Sequence, residues 1–280
     1  MQPPAALVDA REQFFNLIAD VRPELHRYCS RLCGSVIQGE DLVQDVLARA
    51  FYALTLQTEV PNLRAWLFRI AHNASLDFLK SHGHARTEVT AEMDDVSDDA
   101  ADPYAVRAAL SRFLALTVTE RSAVILKDVL GHSLEEAAET MSATVPAVKA
   151  ALVRGRAKLK AEEGASVPAP LDSAMRATLD TYARLFNARD WDGVRSLIGE
   201  DCQLELVSKS HRRGKAVGIY FERYAKENVR LEPTWMEGRW VLAAFVDGAT
   251  SPRYVILLDS ADGKITAIRD FRYISYMLAG

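Results

Sequence analysis

Cysteine is scarce in this chain: Cys29, Cys33 and Cys202 among 280 residues are too few, and odd in number, for a disulfide framework. Long apolar runs are missing as well. None approaches the roughly 20 residues that span a bilayer. The opening, MQPPAALVDAREQFF, has no basic stretch leading into an apolar one, so no secretory signal is expected. These absences argue against a secreted disulfide scaffold or a membrane-spanning protein, and the expected location is the cytoplasm. Neither sign of charge dominates, since 34 Lys and Arg stand against 38 Asp and Glu for a net charge of −4. That balance does not exclude nucleic acid, because attraction to phosphate depends on local charge, and here the charge is uneven. Residues 88 to 102 carry Glu88, Glu92, Asp94, Asp95, Asp98, Asp99 and Asp102 and no Lys or Arg. Apolar residues are 49% of the chain, enough at this length for the cores of two or three domains.

The most informative stretch is SLEEAAETMSATVPAVKAALVRGRAKLK, residues 133 to 160. Ser133 stands three residues before Glu136, the spacing of a capping box. Thr144 before Val145 and Pro146 is a second helix start, since a hydroxyl caps the end and proline suits the first turn. Lys149, Arg154, Arg156, Lys158 and Lys160 then load the second helix with positive charge. A short helix, a tight turn and a basic helix describe a helix-turn-helix suited to a DNA major groove. Lys149, Val153 and Arg154 are the candidates for base contact, with Thr144, Arg156 and Lys158 beside them.

Upstream, GEDLVQDVLARAFYAL places apolar residues at 42, 43, 46, 47, 50 and 51, one stripe of a helix. Asp41, Gln44, Asp45 and Arg49 lie off that stripe, either as a solvated face or as an acidic docking surface. In VPNLRAWLFRIAHNASLDFLKSHG, Leu63, Trp66, Leu67, Ile70, Ala71, Ala74 and Phe78 form the buried stripe of a further helix. Arg64, Arg69, Asn73, Asp77 and Lys80 occupy its opposite face, where such side chains reach base edges and phosphates. His26, Cys29 and Cys33 share one helical stretch, but three ligands leave a tetrahedral metal set incomplete. Their place in an apolar stripe favours core packing, and no metal or cofactor is expected.

EDLVQDVLARAF, then PNLRAWLFRIAHNASLDFLK, a linker and the helix-turn-helix together resemble the extracytoplasmic-function group of bacterial sigma-70-family sigma factors, over roughly residues 12 to 162. The resemblance implies a first module at 11–82 that docks on the β′ clamp helices of RNA polymerase through Asp41, Gln44 and Asp45, with Val43 and Leu47 as apolar contacts. It implies that Arg69, Asn73 and Asp77, with the loop TLQTEV at 55–60, read the melted −10 element. It further implies an acidic linker at 83–104, and a second module at 105–163 that reads the −35 element and meets the β flap. Within that second module the chain departs from the family pattern. Ala150 and Ala151 stand after Lys149 where a polar residue and an arginine are usual, and Ser142 replaces a common turn glycine.

GASVPAP at 164–170 marks a boundary, and beyond it the pattern changes. Helical stretches give way to the short alternating runs LEPTWME, RWVLAAFV, RYVILLD and KITAIRDFRYI, separated by turn signals as in an antiparallel meander. The helix, Asp-Trp-Asp helix and strand within LDTYARLFNARDWDGVRSLIGEDCQLELV resemble a SnoaL-like domain, which implies a cone-shaped α+β fold with a curved antiparallel sheet at 171–280. The overall expectation is therefore multidomain: two all-α modules followed by this α+β domain. Tyr182, His211, Arg213, Trp240 and Arg269 are candidate pocket residues, joined by Arg212, Asp247, Asp270 and Trp235. SKSHRRGK reads equally as a solvated basic loop. The reading is a non-enzymatic sigma factor with a fused regulatory domain, open to a small-molecule or protein regulator. Its rivals are a helix-turn-helix regulator that is not a polymerase subunit and a SnoaL-like enzyme with a DNA-binding arm.

Overall fold

The computed structural model describes residues 5–56, 60, 62–82, 113–161, 173–213, 218–237 and 239–278. The expected acidic linker at 83–104 and positions 57–59 of the 55–60 loop lie outside the described residues. The chain divides into two compact units, one formed by residues 1–90 with 108–165 and the other by 91–107 with 166–280.

The first unit is helical: α1 (Ala5–Cys33), α2 (Val36–Leu56), α3 (Leu63–His82), α4 (Val118–Val124), a π-helical turn (Ile125–Val129), α5 (Leu134–Thr140) and α6 (Val145–Ala161). Gly34, at φ +77°, ends α1, and its amide and that of Ser35 both return to the Ser30 carbonyl, at 2.7 and 3.1 Å. The chain then reverses so closely that a Cβ on Gly39 would lie 2.7 Å from Ser30 Cα. The apolar stripes read from the sequence face inward, with Leu67, Ala71, Val43 and Val46 fully buried. Leu25, Tyr28, Leu32 and Phe68 belong to the same cluster as Ala123, Ile125, Leu126, Ala137, Val148 and Leu152. Both helical modules thus share one core. Burial on that scale, at about 25 cal/mol per Å² of apolar surface, dominates the favourable side of folding.

Polar contacts also join the modules. Arg121 on α4 donates to the carbonyl of Leu32 at the end of α1, and to Leu114 (3.1 Å) and Leu116 (3.0 Å) on its own side. Phe68 of α3 meets the edge of His132, with ring centroids 4.8 Å apart. Local signals set the helix starts. Ser133 and Glu136 complete the expected capping box, Thr117 and Glu120 form a second one on α4, and Thr144 Oγ1 accepts from Ala147 N at 3.3 Å. Each such cap contributes about 1 kcal/mol.

The second unit contains α7 (Ser173–Asn187), α8 (Trp191–Ser196), β1 (Ile198–Leu206), β2 (Ser210–Arg213), α9 (Gly218–Tyr224), β3 (Val229–Met236), β4 (Arg239–Val246), β5 (Tyr254–Ala261) and β6 (Lys264–Asp270). Its six-stranded sheet runs in the order β2-β1-β6-β5-β4-β3 and is open. The meander expected from the turn signals is present, with antiparallel ladders β3–β4, β4–β5 and β5–β6. Asp262 and Gly263, at φ +52° and +74°, make the two-residue turn between β5 and β6. The sheet is nonetheless mixed, because β1 pairs with β6 in parallel. The basic stretch that reads as a solvated loop contributes a strand, β2, on the free edge of β1.

Candidate polymerase and nucleic-acid interfaces

On α2, Asp41 and Asp45 are exposed and Gln44 and Leu47 half-buried. Asp45 pairs with Arg49 at 2.8 Å, and Arg49 reaches Asp77 of α3 at 4.0 Å. Val43 corrects an expectation: it is wholly buried, a core side chain and not part of that exposed face. Periodicity already put Val43 on the inward stripe, and the family resemblance had assigned it outward.

Along α3, Arg69, Asn73, Asp77 and Lys80 are all exposed, and their spacing of four, four and three lines them up on one side. Arg64 stands apart from them. It pairs with Glu24 and stacks over Phe68, 5.4 Å from the ring centroid, so it braces α1 against α3. Phe51 corrects the stripe read from the sequence, since it is 40% exposed, and Tyr52, which the sequence reading passed over, is 67% exposed. They stand in the last two turns of α2, which runs on to Leu56 and so takes in the first residues of the 55–60 stretch.

The basic helix α6 is less free than its composition suggests. Arg154 (3.3 Å) and Lys158 (2.8 Å) both converge on the Glu120 carboxylate, and Arg156 bonds Asp128 through two nitrogens, at 2.9 and 2.6 Å. Lys158 and then the Thr117 cap hold the Glu120 carboxyl down to about 2. Lys149 is exposed and makes no ion pair among the described residues. Ala150 and Val153 are exposed with it, Val153 at 68%, whereas Ala151 is buried. The outward face is therefore Lys149, Ala150 and Val153, one cation beside two apolar groups of a kind that contacts thymine methyls.

In the second unit the candidate pocket residues have separate neighbours. Tyr182 is fully buried, and its hydroxyl has no hydrogen-bond partner among the described residues. Trp240 packs edge-on to Trp235 at 5.4 Å and lies beneath Arg176. Arg269 pairs with Glu205 at 2.7 Å. In register, Glu205 opposes both His211 and Arg269, and Gln203 opposes Arg213, so His211, Glu205 and Arg269 form one cross-strand row. Asp247 stands at the turn after β4. The polar centre that the structure does assemble is a different one. Asp270 is buried and accepts from Tyr220 (2.9 Å), Tyr224 (2.7 Å) and the Arg272 amide (2.9 Å), and Tyr224 and Tyr254 hydroxyls lie 2.9 Å apart. Burial raises the Asp270 carboxyl pKa against the pull of these donors. Only Asp270 was singled out from sequence, because its tyrosines come from two other elements, Tyr220 and Tyr224 from α9 and Tyr254 from β5.

Cys29 and Cys33 are buried in the first core, and burial pushes the Cys29 thiol up to about 12. His26 bonds the Val36 carbonyl at 2.9 Å. Among the described residues no group of three His, Cys, Asp or Glu is placed to hold a metal, and no helix is long and apolar enough to cross a membrane.

A helical unit with an acidic α2 face, a polar α3 face and a capped helix-turn-helix is the arrangement of a sigma-type transcription subunit. Residues 17–85 match the family Sigma-70 region 2, and residues 107–159 match Sigma-70, region 4. The ECF RNA polymerase sigma factor EcfG of Rhodopseudomonas palustris is 31% identical over 156 residues, covering 50% of this chain and 78% of the relative. The chain belongs to the ECF sigma factor family. SigG of Mycobacterium tuberculosis is 29% identical over 217 residues, which are 66% of this chain and 59% of SigG, so the chain spans under two thirds of that relative's length. Among solved structures, Mycobacterium tuberculosis SigJ aligns with 91% of this chain and 95% of its own at 22% identity and a TM-score of 0.39.

Proposed function

We propose that this protein is the promoter-specificity subunit of a bacterial RNA polymerase, acting in the cytoplasm, with a C-terminal unit that regulates it and is not a catalyst. The exposed stripe Arg69, Asn73, Asp77 and Lys80 beside the acidic face of α2 is the observation that carries this reading. A conventional helix-turn-helix regulator needs neither. Asp41, Gln44 and Asp45 dock on the β′ clamp helices. The α3 stripe takes the melted −10 strand, with Phe51 and Tyr52 offering faces for unstacked bases. The helix-turn-helix sits at the −35 element and the β flap, with Lys149, Val153 and Thr144 nearest the DNA. Arg154, Arg156 and Lys158 act chiefly through their carboxylate partners, which square α6 against α4 and the π-helical turn.

Run-off transcription with purified core polymerase and the chain's own upstream DNA tests the reading. Full-length chain is expected to give a transcript, and Asp45→Arg to abolish it by weakening core binding at least ten-fold. That substitution also removes the helical pair with Arg49, which is worth only about 0.3–0.5 kcal/mol, so the fold persists. A variant that still binds core polymerase with unchanged affinity in a pull-down defeats the α2 assignment.

A further inference from the structure

An apolar ridge runs along the outward side of α6, in the middle of a basic helix. Pro146, Ala150, Val153 and Ala157 follow one another at spacings of four, three and four, so they lie one above another on a single side. All four are exposed, whereas Val148, Ala151, Leu152 and Gly155 on the opposite side are buried. At 68%, Val153 is the most exposed large apolar side chain among the described residues. At 100° per residue, Lys149, Arg156 and Lys160 border the ridge on one flank and Arg154 and Lys158 on the other. Arg154 and Lys158 turn away to Glu120, and Arg156 to Asp128. Nothing in the fold calls for valine at this place, since lysine or glutamate is the stronger helix former at an exposed position.

The side chains that α6 lacks narrow what it can read. VPAVKAALVRGRAKLKA contains no Asn, Gln, Asp, Glu, Ser or Thr. Asn and Gln pair with adenine, Asp and Glu accept from cytosine, and Arg is the commonest partner of guanine. Both arginines of α6 are held by carboxylates. Lys149 and the apolar ridge remain, and thymine is the one base that offers an apolar group, its 5-methyl, in the major groove. We propose that Ala150 and Val153 read the 5-methyl groups of thymines in neighbouring base pairs of the −35 element, so that this chain selects its promoters by thymine position. The two residues are separated by about 4.5 Å along the helix axis, close to one base-pair step of about 3.4 Å. The flanking cations draw the helix to the phosphates on the groove walls, contacts that position it without reading sequence. Small side chains along the ridge let the helix lie close to the base edges. The inference deepens the −35 reading, and rests on it for where on the promoter the helix lies.

The test reconstitutes the full-length chain with core polymerase and selects bound duplexes from its own upstream DNA with the −35 segment randomised. The selected pool is expected to share neighbouring thymines, on either strand. Replacing one of them by deoxyuridine removes only the methyl, and is expected to weaken parental binding about four-fold per methyl contacted, the equivalent of about 0.8 kcal/mol. Val153→Ala is expected to lose a similar factor on the thymine duplex and to be indifferent to deoxyuridine at the position Val153 reads. Alanine is the stronger helix former, so the variant folds. A pool without shared thymines overturns the proposal, as does parental binding unchanged by deoxyuridine. So does a Val153→Ala variant that binds core polymerase more weakly yet responds to deoxyuridine as the parent does, which would make the ridge a polymerase contact. Failure of run-off transcription by the parent strikes the sigma reading alone. The same selection is then read with the chain by itself, where shared thymines sensitive to deoxyuridine still uphold the ridge and their absence overturns it.

Discussion

Ser142 occupies the left-handed position that closes α5, at φ +49°, with Ala143 N returning to the Ala138 carbonyl at 2.9 Å. A side chain there costs about 1 kcal/mol, which glycine avoids. Part of that gain is offset by the extra freedom of glycine in the unfolded chain. Ser142→Gly is expected to stabilise the helical unit by about 0.5 kcal/mol, read as a higher urea midpoint at constant slope; a lower midpoint counts against a strained turn. Three buried histidines make a second residue-level case. Burial is the largest cause that lowers His26, His132 and His72, with His72 brought down to about 4. Their folded pKa values lie below the unfolded 6.5, so the unfolded chain takes up protons first as the pH falls. Stability is fully present above pH 6.5 and is lost progressively below it, for His72 down to about pH 4, by up to about 1.4 kcal/mol per pH unit while such a histidine is protonated only in the unfolded chain. Urea titrations at pH 7.5, 6 and 5 should show the loss, and a flat profile would mean that these rings protonate inside the fold.

At the scale of elements, the two helices carrying the candidate interfaces were legible because an amphipathic stripe is a local signal. The same holds for the starts of α5 and α6, whose Ser133 and Thr144 hydroxyls satisfy amides three residues on. Other elements depended on partners distant in sequence. β2 takes its strand form by pairing with β1, and nothing within SKSHRRGK alternates apolar with polar residues. The parallel β1–β6 pairing links residues more than sixty apart, beyond the reach of any local period. Candidate sites divide the same way. The α3 stripe was visible, whereas the ties of Arg154 and Lys158 to Glu120 needed a third helix to be in place. The α1–α2 crossing supplies the element-level prediction. Gly39→Ala would drive a methyl to 2.7 Å from Ser30 Cα and 2.8 Å from Ser30 N, which is backbone and cannot swing aside. A loss of about 2–3 kcal/mol is expected by chemical denaturation; a loss below about 0.5 kcal/mol would mean that the two helices separate without penalty.

At the scale of the helical unit, the shared core of its two modules bears directly on the proposed promoter binding. Elements named for positions −10 and −35 lie about 25 base pairs apart, roughly 85 Å along B-DNA at 3.4 Å per base pair. Modules whose side chains touch, as Phe68 and His132 do at 4.8 Å between ring centroids, do not span that distance. On the proposed function, simultaneous binding of the two elements would require the modules to part, and the energy of their interface would oppose DNA and polymerase binding. Arg121 is the lever on this equilibrium, since it donates across the boundary to the Leu32 carbonyl. A buried hydrogen bond from a charged donor is worth about 1.5–3 kcal/mol, so losing it shifts the closed-to-open ratio by about ten-fold or more. Fluorophores on Ala48→Cys and Ala157→Cys, both exposed positions, report the separation. The native Cys29 and Cys33 are buried and label poorly. Arg121→Ala is expected to lower energy transfer between the two labels and to tighten binding to core polymerase several-fold. An unchanged transfer efficiency would place the stability of the closed arrangement in the apolar core alone. Reduced transfer with weaker polymerase binding would mean that Arg121 shapes the second module itself, through Leu114 and Leu116, more than it restrains the first.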